Sequence, residues 1–186
     1  MTESIRLHHI EKKSRVNGPG VRYVIWTQGC HFLCPSCFNP ETHPISSSLV
    51  ISPELIAKDI ISNGDQIDGI TISGGEPLLQ IDALQELLIH VRQLPLLGII
   101  LFTGYDWPEL LQLNGIDSFL ANIDLVIAGR YHHAKRQANH LIGSSNKSIH
   151  FLTDRYHYSD LDISPSEVVI SEDGNISISG IDPLSW

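Results

Sequence analysis

Four short apolar runs set the frame of this chain. Val21 to Thr27, Ile70 to Ser73, Gly98 to Phe102 and Ile123 to Ala128 are rich in β-branched, aliphatic and aromatic residues, which predicts β-strands. Between them the apolar spacing changes to that of helices. Ser52 stands where a cap is needed and Pro53 at the first helical position, so a helix is expected from there to about Ser62, stopped by Gly64. In the segment from Asp82 to Gln93, Leu84, Leu87, Leu88 and Val91 fall at i, i+3, i+4 and i+7 and form one apolar helix face. Pro95 ends it. A short helix is expected over Trp107 to Leu113, around Pro108.

Strands alternating with helices indicate parallel β/α units. Polar and glycine-rich segments follow each strand: Cys30 comes after the first, Gly74 after the second, Thr103 after the third and Gly129 after the fourth. Parallel sheets bind ligands at the carboxyl ends of their strands, so all four segments are expected at one edge. The units are too few for a closed eight-stranded barrel. Near the C-terminus, Glu167 to Ile170 and Asn175 to Ile178 flank Asp173-Gly174, a hairpin signal. An isolated hairpin is marginally stable, so it is expected to pack on the sheet or its open edge. No internal repeat is present, and the one low-complexity stretch is Ser46-Ser47-Ser48.

The chain has three cysteines, Cys30, Cys34 and Cys37. A C-x3-C-x2-C loop brings three thiolates close enough to converge on one metal centre. A 4Fe–4S cube would leave one iron without a protein ligand, whereas electron-transfer clusters usually close all four corners with cysteine. An open corner points to chemistry at the cluster. Spacing alone also admits a Cys3His zinc site with His31 or His43 as fourth ligand, or a disulfide with one free thiol. About forty residues on, Ser73-Gly74-Gly75-Glu76-Pro77 ends a strand in two glycines, an acid and a proline. Residues without a Cβ let a ligand approach the backbone. Free backbone groups and the Glu76 carboxylate then suit an ammonium group. The same tetrad is otherwise an ordinary turn.

Together the two motifs resemble the radical S-adenosylmethionine (SAM) superfamily. The resemblance implies that Cys30, Cys34 and Cys37 hold a 4Fe–4S cluster and that its open iron chelates the SAM amino and carboxylate groups. It also implies that Gly74, Gly75, Glu76 and Pro77 help to bind the SAM ammonium. In that superfamily one-electron transfer cleaves SAM to methionine and a 5′-deoxyadenosyl radical. Further segments resemble the activating proteins of anaerobic ribonucleotide reductase: Asn17 to Arg22, Asn39-Pro40, Thr103-Gly104-Tyr105, Ile127 to Tyr131 and Gly143 to Asn146. The likeness runs over roughly residues 5 to 150. It implies a partial, open β/α barrel with a C-terminal β-hairpin extension, and one domain over residues 1–186 with its core at about 5–150 and the extension at about 151–186. It also implies a glycyl-radical reductase as partner and a flavodoxin- or ferredoxin-type electron donor. Two positions depart from the family pattern: Ala128 replaces a common acid, and Lys147-Ser148 follows Gly143 to Asn146 in place of Gln and Arg. A small-molecule enzyme resembling 7-carboxy-7-deazaguanine synthase, a peptide-modifying radical SAM enzyme and a non-catalytic metal module are the competing readings.

Other side chains are weaker candidates. Thr103 and Gly104 follow a strand and join the expected SAM site. Arg130 is placed to hold the SAM carboxylate or a carboxylate on the partner, or to form a structural salt bridge. Asn146 either bonds SAM or caps a helix. His31 and Phe32 are expected to shield the cluster, and Tyr105 and Trp107 to pack near the adenine. The adjacent pairs His8-His9 and His132-His133 do not share a helix face and read as surface or structural. Asp106 and Asp124 have no spacing that singles them out.

Composition narrows the setting. Apolar residues make up 42% of the chain, enough for a soluble domain with its own core. The longest apolar run, Leu94 to Phe102, contains Pro95 and Gly98 and is too short to span a membrane. A net charge of −9 argues against a nucleic-acid partner, which normally demands a basic patch. Reduced thiols and an oxygen-sensitive cluster imply the cytoplasm.

Overall fold

The structure, a computed structural model, describes residues 3–46, 49–137, 140–170, 174 and 176–180. Ser47, Ser48, Asp173 and Asn175, on which the low-complexity and hairpin readings partly fall, lie outside the described residues. The elements in chain order are β1 (Ile5–Ser14), β2 (Arg22–Thr27), β3 (Leu49–Ile51), α1 (Pro53–Ser62), β4 (Gly69–Gly74), α2 (Ile81–Val91), β5 (Gly98–Thr103), α3 (Trp107–Leu110), α4 (Ile116–Leu120), β6 (Leu125–Ala128), β7 (Ser148–Phe151), β8 (Ser166–Ile170) and β9 (Ile176–Gly180). Seven strands form one sheet in the order β3-β1-β2-β4-β5-β6-β7. Its centre, β2-β4-β5-β6, is parallel. The pairs β1–β2, β1–β3 and β6–β7 are antiparallel. The fold is therefore mixed α/β, and the four central strands are those expected from the apolar runs.

Alternation along each central strand divides the sheet into two faces. Tyr23, Ile25, Ile70, Ile72, Ile99, Leu101, Val126 and Ala128 form a core with Ile56 and Ile60 of α1 and with Leu84, Leu87, Leu88 and Val91 of α2. The opposite face carries Ile100, Leu125 and Ile127 with Leu141, Tyr156 and Leu161. Among the described residues no α-helix contributes to that second cluster, and a cavity lies on that face. Ser52 caps α1 by accepting from the Leu55 N–H, with Pro53 in the first turn. α2 buries the expected stripe.

Two buried polar nodes tie the strand starts together. Arg22 donates to Thr71 Oγ1 (3.1 Å), Tyr156 Oη (2.7 Å), the Ile70 carbonyl and the Gly98 carbonyl (2.9 Å). The arginine of the Asn17 to Arg22 segment is thus a structural staple. Asp124, at the start of β6, accepts from Arg92 (2.8 Å), the Ile99 N–H (2.7 Å) and Thr153 (2.8 Å). Burial works to raise its pKa, but these donors outweigh it and hold the carboxyl below its ordinary value of 3.8. The unfolded chain therefore takes up this proton more readily than the folded one. The stabilisation is complete above the unfolded value and is lost as pH falls through the folded value. Urea midpoints should accordingly drop between pH 6 and pH 3, and Asp124→Asn should flatten that slope.

The C-terminal strands β8 and β9 pair antiparallel as a separate two-stranded sheet. They dock on the loop after β1: the Glu167 carboxylate accepts from Ser14 Oγ and from the Arg15 N–H (3.0 Å), and Asn17 Nδ2 donates to Ser179 Oγ (2.9 Å). Among the described residues no helix is long and apolar enough to cross a membrane.

Candidate functional site

The register of the parallel strands puts Thr27 beside Gly74 and Thr103 beside Ala128. The segments after β2, β4, β5 and β6 therefore emerge together, as the sequence pattern required. On the face away from the helices they enclose a cavity of about 430 Å³, within the roughly 300–1,000 Å³ of small-ligand sites. Cys30, Cys34, Cys37, Gly74, Gly75, Glu76, Thr103 and Gly104 all line it. Pro77, Arg130 and Asn146 do not line it.

The cysteine loop has an unusual backbone. Gly29, Leu33 and Ser36 have φ of 104°, 48° and 56°, and each immediately precedes a cysteine. Three left-handed residues thus turn the chain before each sulfur. For Leu33 and Ser36 such conformations are uncommon and cost energy, typically at functional sites. The return segment closes the loop: Gly29 N–H donates to the Thr42 carbonyl (2.8 Å) and Cys30 N–H to the His43 carbonyl (3.0 Å). Ser36→Gly should therefore retain metal loading and gain stability, whereas Ser36→Val should lose both, since a β-branched residue resists positive φ. Iron content and a thermal melt of each variant test this.

All three cysteines are free and partly buried. Burial pushes the Cys30 thiol up, while the backbone N–H groups of Phe32 and Leu33 donate to it and pull it down. Cys37 is likewise raised by burial and opposed by the Asn39 N–H. Among the described residues no three His, Cys, Asp or Glu side chains gather around a single metal ion. Three free thiols on one loop can each serve a separate iron corner of a cube, so the donor set fits a 4Fe–4S cluster.

Glu76 is 1% exposed. Its carboxylate accepts from the Leu78 N–H (3.0 Å), Thr103 Oγ1 (2.9 Å) and the Gly104 N–H (2.7 Å). Burial pushes its pKa up to about 7 despite these donors. It forms no ion pair with any described residue. A carboxylate offers about four acceptor positions, so one remains for a cation such as an amino acid's ammonium. The two preceding glycines have a further role. A Cβ on Gly75 would overlap the Gly29 carbonyl and one on Gly74 the Thr27 backbone. Gly75 N–H donates to Thr27 O (2.9 Å) and Glu76 N–H to Gly29 O (2.8 Å). The space a Cβ would fill is taken by the cysteine loop itself. Gly75→Val would therefore displace the metal loop as well as any ligand.

Arg130 faces outward. Its guanidinium pairs with Glu109 (2.8 and 3.1 Å) and, at 3.5 Å, with Asp106, and lies 4.4 Å from the Phe32 ring centroid. The salt-bridge alternative describes its placement. Phe32 also packs on Tyr105 (4.9 Å) and His31 (4.1 Å) and itself lines the cavity, so this cluster braces the cysteine loop. Asn146 Nδ2 donates to the Arg130 carbonyl (2.9 Å). Trp107 stacks on His150 at 3.7 Å. The sequence reading missed Trp26 and Phe102, which line the cavity, and Ile178 to Gly180 of the hairpin, which edge it. Alternation along β2 and β5 carries the signal for Trp26 and Phe102. It becomes readable only once the buried face is known. His8 and His9, read as surface residues, are exposed at the cavity's edge.

The sequence is similar to those of known proteins. Residues 16–150 match the family described as 4Fe-4S single cluster domain. Pyruvate formate-lyase-activating enzymes of Staphylococcus aureus strains USA300, NCTC 8325 / PS 47 and N315 are each 38% identical to the chain over 92 residues, covering 47% of this chain. The match covers 37% of the length of each of these relatives. The family match spans β2 to β6, all but the last residue of β7, and all three cysteines. With its cysteine loop and its Gly74 to Glu76 turn on one cavity, the chain belongs to the 4Fe-4S single cluster family.

Proposed function

We propose that this chain is a radical SAM enzyme that installs a glycyl radical on a partner protein. The observation that carries this reading is the convergence of Cys30, Cys34, Cys37 and the Gly74 to Glu76 turn on one cavity. The three cysteines would hold the cluster, with one iron open. Glu76, with backbone at Gly74, Gly75 and Gly104, would hold the amino acid end of SAM. When bound, the cluster supplies the electron that cleaves SAM to methionine and a 5′-deoxyadenosyl radical.

The chain's own residues have separable tasks. Backbone N–H groups of Phe32, Leu33 and Asn39 face the sulfurs of Cys30 and Cys37 and favour their thiolate forms. Glu76 ties the turn after β4 to the loop after β5 and keeps an acceptor for the ligand's ammonium. Trp26 and Phe102 supply apolar wall, which limits water at the reacting centre. No general acid or base is needed for hydrogen abstraction.

We read the sheet as the partial barrel of this superfamily, with residues about 5–150 as its core and 151–186 as an extension of one domain. Its open side would admit a loop of a large protein. The partner we favour is an anaerobic ribonucleotide reductase, because Asn17 to Arg22 and Gly143 to Asn146 resemble its activating proteins. A flavodoxin- or ferredoxin-type protein would donate the electron, in the cytoplasm. Anaerobic mixing with SAM, reductant and either the cell's ribonucleotide reductase or its pyruvate formate-lyase tests the choice. A glycyl-radical doublet in electron paramagnetic resonance with the reductase alone supports this target. A doublet with the lyase alone moves the target. SAM cleavage with no doublet from either protein defeats the activase reading.

A further inference from the structure

Lys147 occupies a position that the function above does not use. It lines the cavity together with all three cysteines and Glu76, and it is the sole Lys or Arg among the described residues that do so. Its ammonium makes no hydrogen bond or ion pair with any described residue. The nearest aromatic partner is Phe102, whose ring centroid lies 5.8 Å from Nζ. Arg130, by contrast, is fully engaged with Glu109 and Asp106 outside the cavity.

The backbone makes room for this side chain. A Cβ on Gly129 would stand 3.4 Å from Lys147 Cα and 3.6 Å from its Cγ. Gly129 also has φ of 122°, which side chains rarely adopt. The stem of Lys147 therefore passes over the end of β6 beside a residue with no side chain. Burial pulls the Lys147 pKa down, and Cys34, Cys37 and Glu76 pull it back up.

An unpaired ammonium in a partly buried site is costly. A fold that keeps one gains only if an anion is placed beside it. The three cysteines that line the same cavity as Lys147 would, as thiolates, supply that anion. We propose that Lys147 is a charge-tuning residue, which favours the reduced state of a cluster held by Cys30, Cys34 and Cys37 and so raises its reduction potential.

This rests on the cluster reading given above. Reduction adds one negative charge to a centre already made anionic by thiolates, and cluster potentials follow net charge and local environment. A fixed positive charge stabilises the more negative form more. The effect needs no SAM and no partner protein.

The test is a redox titration of the anaerobically reconstituted protein without SAM, followed by electron paramagnetic resonance of the reduced cluster. Lys147→Met removes the charge at similar length and Lys147→Arg keeps it. Lys147→Met should shift the reduction equilibrium about tenfold toward the oxidised state, which is about 59 mV more negative for one electron. Lys147→Arg should stay near the wild type. Lys147→Gln provides a second neutral variant should Lys147→Met load poorly. Equal potentials in wild type and a fully loaded neutral variant overturn the proposal, even if SAM binding weakens. A wild type that takes up no cluster overturns the cluster reading itself.

Discussion

Replacing Cys30, Cys34 or Cys37 singly with alanine should abolish iron–sulfur assembly and SAM cleavage together. Wild-type protein reconstituted anaerobically should hold about four irons and four sulfides, the content of one cube. A variant with two thiolates cannot fix three corners. The effect should be confined to the site, because the cysteines sit on a loop closed by Thr42 and His43 and outside both hydrophobic clusters. Urea midpoints of the apoproteins should stay close to the wild type. Full SAM cleavage in any one variant would contradict the ligand assignment. A large loss of apoprotein stability would show that the thiols serve packing instead.

The next largest effect is expected at Glu76. Its carboxylate holds three donors from two segments, and removing a buried acceptor leaves those donors unsatisfied. Glu76→Ala should cost on the order of 2–4 kcal/mol in stability as well as weakening SAM. Glu76→Gln separates the two roles. Its amide oxygen can still accept from Leu78 and Thr103, while the charge is lost. A charged hydrogen bond contributes roughly 1.5–3 kcal/mol, so Glu76→Gln should weaken SAM binding about tenfold to a hundredfold with the cluster intact. Calorimetry on cluster-loaded protein reads this directly. Unchanged affinity in Glu76→Gln would leave Glu76 as a tie between two loops and nothing more.

The parts of this molecule that were legible in its sequence are those where local pattern and burial agree. The strands β2, β4, β5 and β6 are short apolar runs because both their faces are covered. The α1 cap and the α2 stripe needed no tertiary information. β1 escaped notice because register irregularities fall between Leu7 and His9 and between Glu11 and Ser14, which break the alternation a strand normally shows. β7 is four half-buried residues, Ser148–Phe151, with no apolar run to mark it.

The site divides in the same way. Cysteine spacing and the Gly74 to Glu76 turn are local signals and converge on one cavity. Arg130 and Asn146 follow the same strand edge, yet their side chains turn to Glu109 and to a backbone carbonyl. Sequence position cannot show which way a side chain leaves a loop. Gly75 was readable as a residue that must lack a Cβ, but the neighbour that demands it, the Gly29 carbonyl, is forty-six residues away in the chain. Lys147 stood out only as a departure from a pattern, and its place inside the cavity comes from the turn between Ser144 and β7.

The central claim is that one cavity holds both an open-cornered cluster and SAM. Anaerobic incubation of the reconstituted protein with SAM and dithionite, followed by quantification of products, tests it most directly. The account predicts methionine and 5′-deoxyadenosine in equal amounts, with neither formed by Cys34→Ala. Stoichiometric zinc in anaerobically purified protein, with no iron uptake and no SAM cleavage, would contradict it.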